Sequence, residues 1–259
     1  MATDTEAVGT ERRGRVLVIR LSRPEARNAV NEAVAVGIEA AIDELEGDDE
    51  LWAAVLAAEG SVFCAGADLK SIAAGNGASL STARGGFGGL VRRERTKPLI
   101  AAVDGDAFAG GFELALACDL VVAGEGVRFG LPEVKRSLLA AAGGLVHLPR
   151  LIGEKLALEI AMTGEPIAAE RLMALGAINR VAPREAVLPI AIGLAEAICK
   201  NAPLAVRAAR AVILDGRDAD EATRWQASFD GFQRLAATED FREGPRAFIE
   251  KRAPVWRAR

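Results

Sequence analysis

The feature that most limits the fold is a change of apolar rhythm along the chain. Up to about Glu154, short apolar runs alternate with one long helical stretch and several Gly-rich turns. "RVLVIRLS" (15–22) alternates apolar and polar residues before Pro24 and predicts a half-buried strand. "NEAVAVGIEAAIDELEG" repeats Val34, Ile38, Ile42 and Leu45 at helical spacing, with Gly47 as a stop. "LWAAVLAAEG", "LIAAVDG" and "DLVVAG" are further strands, each closed by a Gly or Asp turn signal. Strands alternating with helices require a layered α/β core. After Glu154 the pattern is helical except for an extended piece near "AINRVAP". The expected organisation is one core domain, 1–195, followed by a helical region, 196–259, packed on the core or on a neighbouring subunit. Residues 71–91, rich in Gly, Ala and Ser, oppose a stable helix and predict a mobile flap.

Composition removes several function classes. With 5% aromatic residues, no Tyr and a net charge of -4, the chain lacks the basic, aromatic-interleaved surface that stacks nucleic-acid bases. Nucleic acid is therefore not expected as a partner. Cys64, Cys118 and Cys199 have neither close pairing nor metal-ligand spacing, so no metal site and no disulfide framework is expected. The N-terminus carries acids early and breaks its apolar run at Arg20, and no stretch reaches the roughly 18 apolar residues of a spanning helix. A reduced, cytoplasmic setting without membrane contact is expected. The mean hydropathy of +0.18 leaves apolar surface for oligomerisation.

The chemistry starts at "AGGFELALACD". Glu113 is the only charged residue between Ala107 and Cys118. A carboxylate in such surroundings must pair, cap the helix start, or hold its proton to unusually high pH. Glu133 follows 20 positions later in "RFGLPEV", with Pro132 restricting its backbone. One strand and a short return between them could bring both acids to one cleft, where one takes a proton from water and the other delivers one. The alternative for Glu133 is a solvated position beside Lys135 and Arg136. In "SVFCAGADLK", the small residues Ala65, Gly66 and Ala67 expose backbone N–H groups, and Gly110 and Gly111 do so at a helix start. Two converging amides could hold an enolate or thioester oxygen.

Together, "LSRPEARNAVN", "FCAGADLK", "VDGDAFAGGFELALACDL", "RFGLPEV" and "AFIEKR" resemble the crotonase superfamily, the enoyl-CoA hydratase/isomerase family, over nearly the whole chain. The resemblance implies a crotonase-like (ClpP/crotonase) α/β superhelix of ββα units with a helical C-terminal trimerisation region, assembled as a homotrimer or a dimer of trimers. It implies an oxyanion hole from the N–H groups of Ala67 and Gly110, and Glu113 and Glu133 as the catalytic pair. The implied substrate is an acyl-CoA thioester, with coenzyme A part of the substrate and no separate cofactor. The implied reaction is reversible syn addition of water to a 2-enoyl-CoA by a hydro-lyase. Glu113 would deprotonate the water and Glu133 would protonate C2. Enoyl-CoA isomerase and carnitinyl-CoA dehydratase-like activities use the same hole. A non-catalytic acyl-CoA-binding or RNA-associated scaffold is the reading from another class, and retention of both acids speaks against it.

The resemblance also implies contacts to the CoA substrate from Arg23, Ala26 and Arg27, from Ala65, Asp68, Leu69 and Lys70, from Gly111, and from Lys251 near the C-terminus. The chain departs from the family's usual Pro-Gly turn with Ala140–Ala142, before the paired Gly143 and Gly144. That segment lines the acyl end in relatives, so the acyl preference stays open. "LPRLIG" and "PEVK" look like the carnitinyl-CoA dehydratase branch. His147, the single histidine, sits on an apolar helical pattern and is assigned a structural role, Cys64 is read as a small buried residue, and "RRERTK" (92–97) as an exposed helix end.

Overall fold

The computed structural model describes residues 7–259; Met1–Glu6, the acid-rich start of the 1–195 unit, lie outside the described residues. In chain order the elements are β1 (Val8–Arg13), β2 (Val16–Leu21), α1 (Glu32–Gly47), β3 (Ala53–Ala58), β4 (Val62–Cys64), α2 (Leu69–Ala73), β5 (Ser81–Thr82), β6 (Gly86–Phe87), β7 (Leu99–Val103), β8 (Asp106–Phe108) and α3 (Gly110–Ala117). They continue with β9 (Leu120–Gly124), β10 (Arg128–Gly130), α4 (Gly144–Ile152), α5 (Glu154–Thr163), β11 (Ile167–Ala168), α6 (Ala169–Ala174), β12 (Arg180–Ala182), α7 (Val187–Cys199), α8 (Pro203–Asp215), α9 (Glu221–Ala236) and α10 (Glu239–Ile249).

Successive pairs of strands divide between two sheets. β3, β7 and β9 join a six-stranded sheet of order β1-β2-β3-β7-β9-β12, while the short strands that follow them, β4, β8 and β10, join a four-stranded sheet of order β11-β10-β8-β4. Each turn of chain thus lays one long strand and one short strand, and the first two turns then add a helix, α2 or α3. This is the ββα superhelix. The central pairings are parallel, Val18 opposite Val55 and Ile100 opposite Leu120, as crossover connections demand.

β2 is covered on both faces, which corrects its reading as a half-buried strand. Leu17, Ile19 and Leu21 point into a core shared with Val34, Ile38 and Ile42 of α1, whereas Val16 and Val18 join Ala53, Val55, Ile100 and Val122 against Val187, Ala191, Ile192 and Ala195 of α7. Parallel strands buried on both sides read as apolar runs, and "VLVI" is one. α1 starts at Asn31, whose side chain accepts the Val34 N–H at 3.0 Å, and its far end is closed by Lys97 Nζ, which donates to the carbonyls of Leu45 at 2.6 Å and Asp48 at 2.7 Å.

The run "RRERTK" forms no helix. Arg93 pairs with Asp43, Arg95 with Asp119, and Lys97 is 2% exposed. Arg93, Arg95 and Lys97 point inward because acids and carbonyls from other elements wait there, while Arg92 and Glu94 stay exposed. The division at 195/196 falls inside α7, and the chain leaves the sheet only after Cys199. Arg210 of α8 ties the following helices back through Asp119 at 3.0 Å. Residues 71–91 hold the end of α2, a 3₁₀ turn and the β5–β6 hairpin. Among the described residues, no single helix is long and apolar enough to cross a membrane.

Candidate active site

Two turns meet at the site, and backbone sterics fix both. Gly66 has φ +94°, and a Cβ there would lie 2.7 Å from Ala109 Cβ and 3.0 Å from Gly110 N. Only a residue without a side chain lets the 64–67 turn approach the start of α3 this closely. Ala109 itself adopts φ 52°, ψ -130°, a conformation that costs on the order of 1–3 kcal/mol for a residue with a Cβ. Its N–H is held by the Gly130 carbonyl at 2.9 Å, which locks the turn.

The amides of Ala67 and Gly110 are left unengaged. Val30 donates to Gly66 O at 2.8 Å and accepts from Asp68 N at 2.9 Å, a one-residue parallel bridge. Neighbouring amides in such a bridge point to opposite sides, so the Ala67 N–H faces away from Val30. Gly110 opens α3, where an N–H has no acceptor within the helix. Among the described residues, neither amide donates to a protein acceptor. Both residues line one cleft of about 1580 Å³, larger than a drug-sized pocket, with Glu113 and Glu133 on its wall.

Glu113, 3% exposed, lies in the first turn of α3, yet it does not cap that helix. Its Oε1 accepts the N–H of Gly144 at 2.9 Å. Burial pushes its pKa up to about 7; the bond from Gly144 opposes that rise and the nearby Glu133 charge adds to it. Glu133 is 9% exposed, held in the 3₁₀ turn Pro132–Arg136. Burial raises its pKa as well, and its Oε2 is buried with no hydrogen-bond partner among the described residues. The surface alternative for Glu133 is therefore excluded. Lys135 turns to Glu165 at 2.6 Å instead. An acid raised to about 7, a second acid with an unpartnered oxygen and two free amides on one cleft are groups that can in principle move protons beside an oxygen that gains charge.

Of the residues expected to contact the substrate, Arg23, Ala26, Arg27, Ala65, Asp68, Leu69 and Lys70 line the same cleft. They divide by chemistry. Arg23 is held by Asp68 at 3.2 Å and by the Ala29 carbonyl at 2.5 Å, and Asp68 also caps α2 through the Lys70 N–H at 3.1 Å, so this pair builds the wall. Arg27, Lys70, Arg92 and Arg136 line the cleft without an ion-pair partner among the described residues, leaving positive charge for an anionic ligand. Gly111 does not face the cleft: a Cβ there would lie 2.1 Å from Cys64 O, so this glycine serves close packing of α3 on β4. Lys251 lies beyond α10, exposed, at φ 53°, outside the cleft of its own chain.

Two contributors went unassigned in the sequence, and a third was given a different role. Gly144 anchors Glu113 from a loop 31 residues away, and its partner in "GG" was visible but not its target. Asn28, fully buried, clamps the 23–28 turn by donating to Glu59 O and Val62 O, both at 2.8 Å, and accepting from Arg23 N at 2.9 Å. Its position after "RPEAR" was the signal. His147, assigned a structural role, lines the cleft. Cys64 is fully buried with its thiol pushed up to about 12, in keeping with its reading as an inert small residue.

An ββα spiral presenting two unengaged amides and two buried acids in one cleft defines the crotonase class of α/β proteins. Residues 11–259 match the family model described as enoyl-CoA hydratase/isomerase, and the chain belongs to that family. It is 38% identical over 246 residues to the mevalonyl-coenzyme A hydratase of Aspergillus fumigatus, covering 93% of this chain and 91% of that protein. It is 37% identical to the carnitinyl-CoA dehydratase of Salmonella typhi, covering 98% and 100%. A crystal structure of an enoyl-CoA hydratase from Mycobacterium tuberculosis H37Rv superposes with a TM-score of 0.95 at 44% identity, covering 98% of this chain and 100% of that one.

Proposed function

We propose that the protein hydrates 2-enoyl-CoA thioesters reversibly. The observation that carries this reading is the pairing of Glu113, with a pKa near 7, and the unpartnered Glu133 across a cleft that also holds two free backbone amides. Water attacks C3 while electron density moves to the thioester oxygen, which the Ala67 and Gly110 amides receive. One such donor is typically worth roughly 3 kcal/mol in the transition state. Glu113, fixed by Gly144, takes a proton from the water. Glu133 gives a proton to C2. No step needs a metal or a separate cofactor, since CoA belongs to the substrate and its phosphates meet Arg27 and Lys70.

Dehydration of a 3-hydroxyacyl-CoA is the same path reversed, and the likeness to a mevalonyl-coenzyme A hydratase and a carnitinyl-CoA dehydratase supports either direction. Exposed Trp225, Phe229 and Phe232 on α9 support assembly into a homotrimer or a dimer of trimers, read out by light scattering, and a cytoplasmic location accompanies this reading.

Loss of the conjugated thioester absorbance of crotonyl-CoA tests the reaction. Decay to 3-hydroxybutyryl-CoA is expected, and Glu113→Gln and Glu133→Gln should each slow it by roughly 10²–10⁴ while the ester still binds. A shifted double bond without water uptake would favour an isomerase. Saturable binding without any change of absorbance would favour a scaffold.

A further inference from the structure

With the thioester oxygen at Ala67 and Gly110 and the CoA tail toward Arg27 and Lys70, the wall beside Glu113, to which residues 138, 139, 141–143, 146 and 147 contribute, lies open to an acyl chain beyond C3. That wall is largely apolar, with Leu138, Leu139 and Val146 on it. His147 interrupts it. Its ring lies against Gly143, where a Cβ would stand 3.0 Å from Cδ2 and 3.3 Å from Nε2, and the next residue, Gly144, is the anchor of Glu113. The imidazole therefore lines the cleft against the neighbour of Gly144, the anchor of Glu113, and with the ester placed in this way it borders the acyl chain beyond C3. It is half-buried, and neither ring nitrogen has a hydrogen-bond partner among the described residues.

We propose that His147 is a specificity residue that hydrogen-bonds a hydroxyl group carried by the acyl chain beyond C3, so that hydroxylated 2-enoyl-CoA thioesters are preferred over plain alkenoyl ones. Burial, and then the charges of Arg217 and Arg150, hold the ring's pKa below its ordinary value, so at neutral pH it offers one donor and one acceptor nitrogen. A hydroxyl matches that pair. A plain alkyl chain would strip water from the nitrogens and leave them unpaired, and a cationic acyl group would meet the field of the same two arginines.

This inference rests on the hydratase reading, and the test separates the two. Hydration of 5-hydroxy-2-pentenoyl-CoA and of 2-pentenoyl-CoA is compared in the wild type, His147→Leu and His147→Gln. The wild type should favour the hydroxylated ester in kcat/KM by at least about tenfold, His147→Leu should bring the ratio within about twofold by slowing that ester alone, and His147→Gln should restore most of it. Equal rates in the wild type, or an equal fall on both esters in His147→Leu, would overturn the role of His147 and leave the hydratase reading standing. Binding of both esters with hydration of neither would overturn the hydratase reading and the inference with it.

Discussion

Replacing Glu113 with Gln should change stability in a way that depends on pH, and the size follows from its burial. The folded protein holds the Glu113 proton to about 7, whereas the ordinary value is 4.5. The folded state therefore binds more protons than the unfolded one between those values, and stability falls as pH rises through that window. Below 4.5 the group costs nothing; above about 7 the whole penalty is present. At 1.36 kcal/mol per pH unit the interval amounts to about 3 kcal/mol, and with Glu113 only 3% exposed no discount for solvent screening is needed. Glutamine keeps an oxygen for the Gly144 N–H and removes the charge, but its buried NH₂ adds a penalty of roughly 1–3 kcal/mol. That penalty is the same at every pH and cancels when two pH values are compared. Denaturant unfolding of wild type and Glu113→Gln at one fixed protein concentration should thus give a stability difference about 3 kcal/mol more favourable to the variant at pH 8 than at pH 4.5. Guarding against subunit dissociation requires that fixed concentration. A difference independent of pH would show that Glu113 titrates normally and would remove the reason for treating it as a base.

Wild-type kcat/KM for crotonyl-CoA should rise as pH passes through about 7, because the ionised form of Glu113 accepts the proton; a profile flat from pH 6 to 8 would contradict its role. Gly66→Ala forces a Cβ to 2.7 Å from Ala109 Cβ and should cost roughly 10² in hydration rate by spreading the two amides, measured with crotonyl-CoA on a variant shown folded by circular dichroism. Asp119→Ala leaves Arg95 and Arg210 facing each other without their shared acid and should lower unfolding stability by about 3–5 kcal/mol. Lys70→Glu should raise the KM of a CoA ester by a much larger factor than that of the matching pantetheine thioester, while equal effects would place Lys70 outside the phosphate region.

Much of the molecule was legible in the chain. The α1 stripe, the runs that became β2, β3, β7 and β9, and the helical tail all follow from local periodicity, and the two-glutamate, two-turn motif pointed to one cleft before any coordinates. The short strands β4, β8 and β10 were not legible, since each has three residues and too few positions to show a period. β2 looked half-buried because the helix that covers its second face, α7, arrives 166 positions after the strand ends. The run at 92–97 looked like a surface because its partners, Asp43, Asp119 and the end of α1, are distant in sequence.

By itself the sequence determined which residues carry acid, where glycine permits a turn and where apolar faces repeat, because those depend on neighbours a few positions away. Only tertiary structure decided that Gly144 rather than the start of α3 meets Glu113, that the Val30 bridge turns the Ala67 amide outward, that Gly111 packs instead of binding, and that His147 borders the cleft. Desolvation and hydrogen-bond direction are set by whatever distant segment folds over a residue, and no local pattern encodes that.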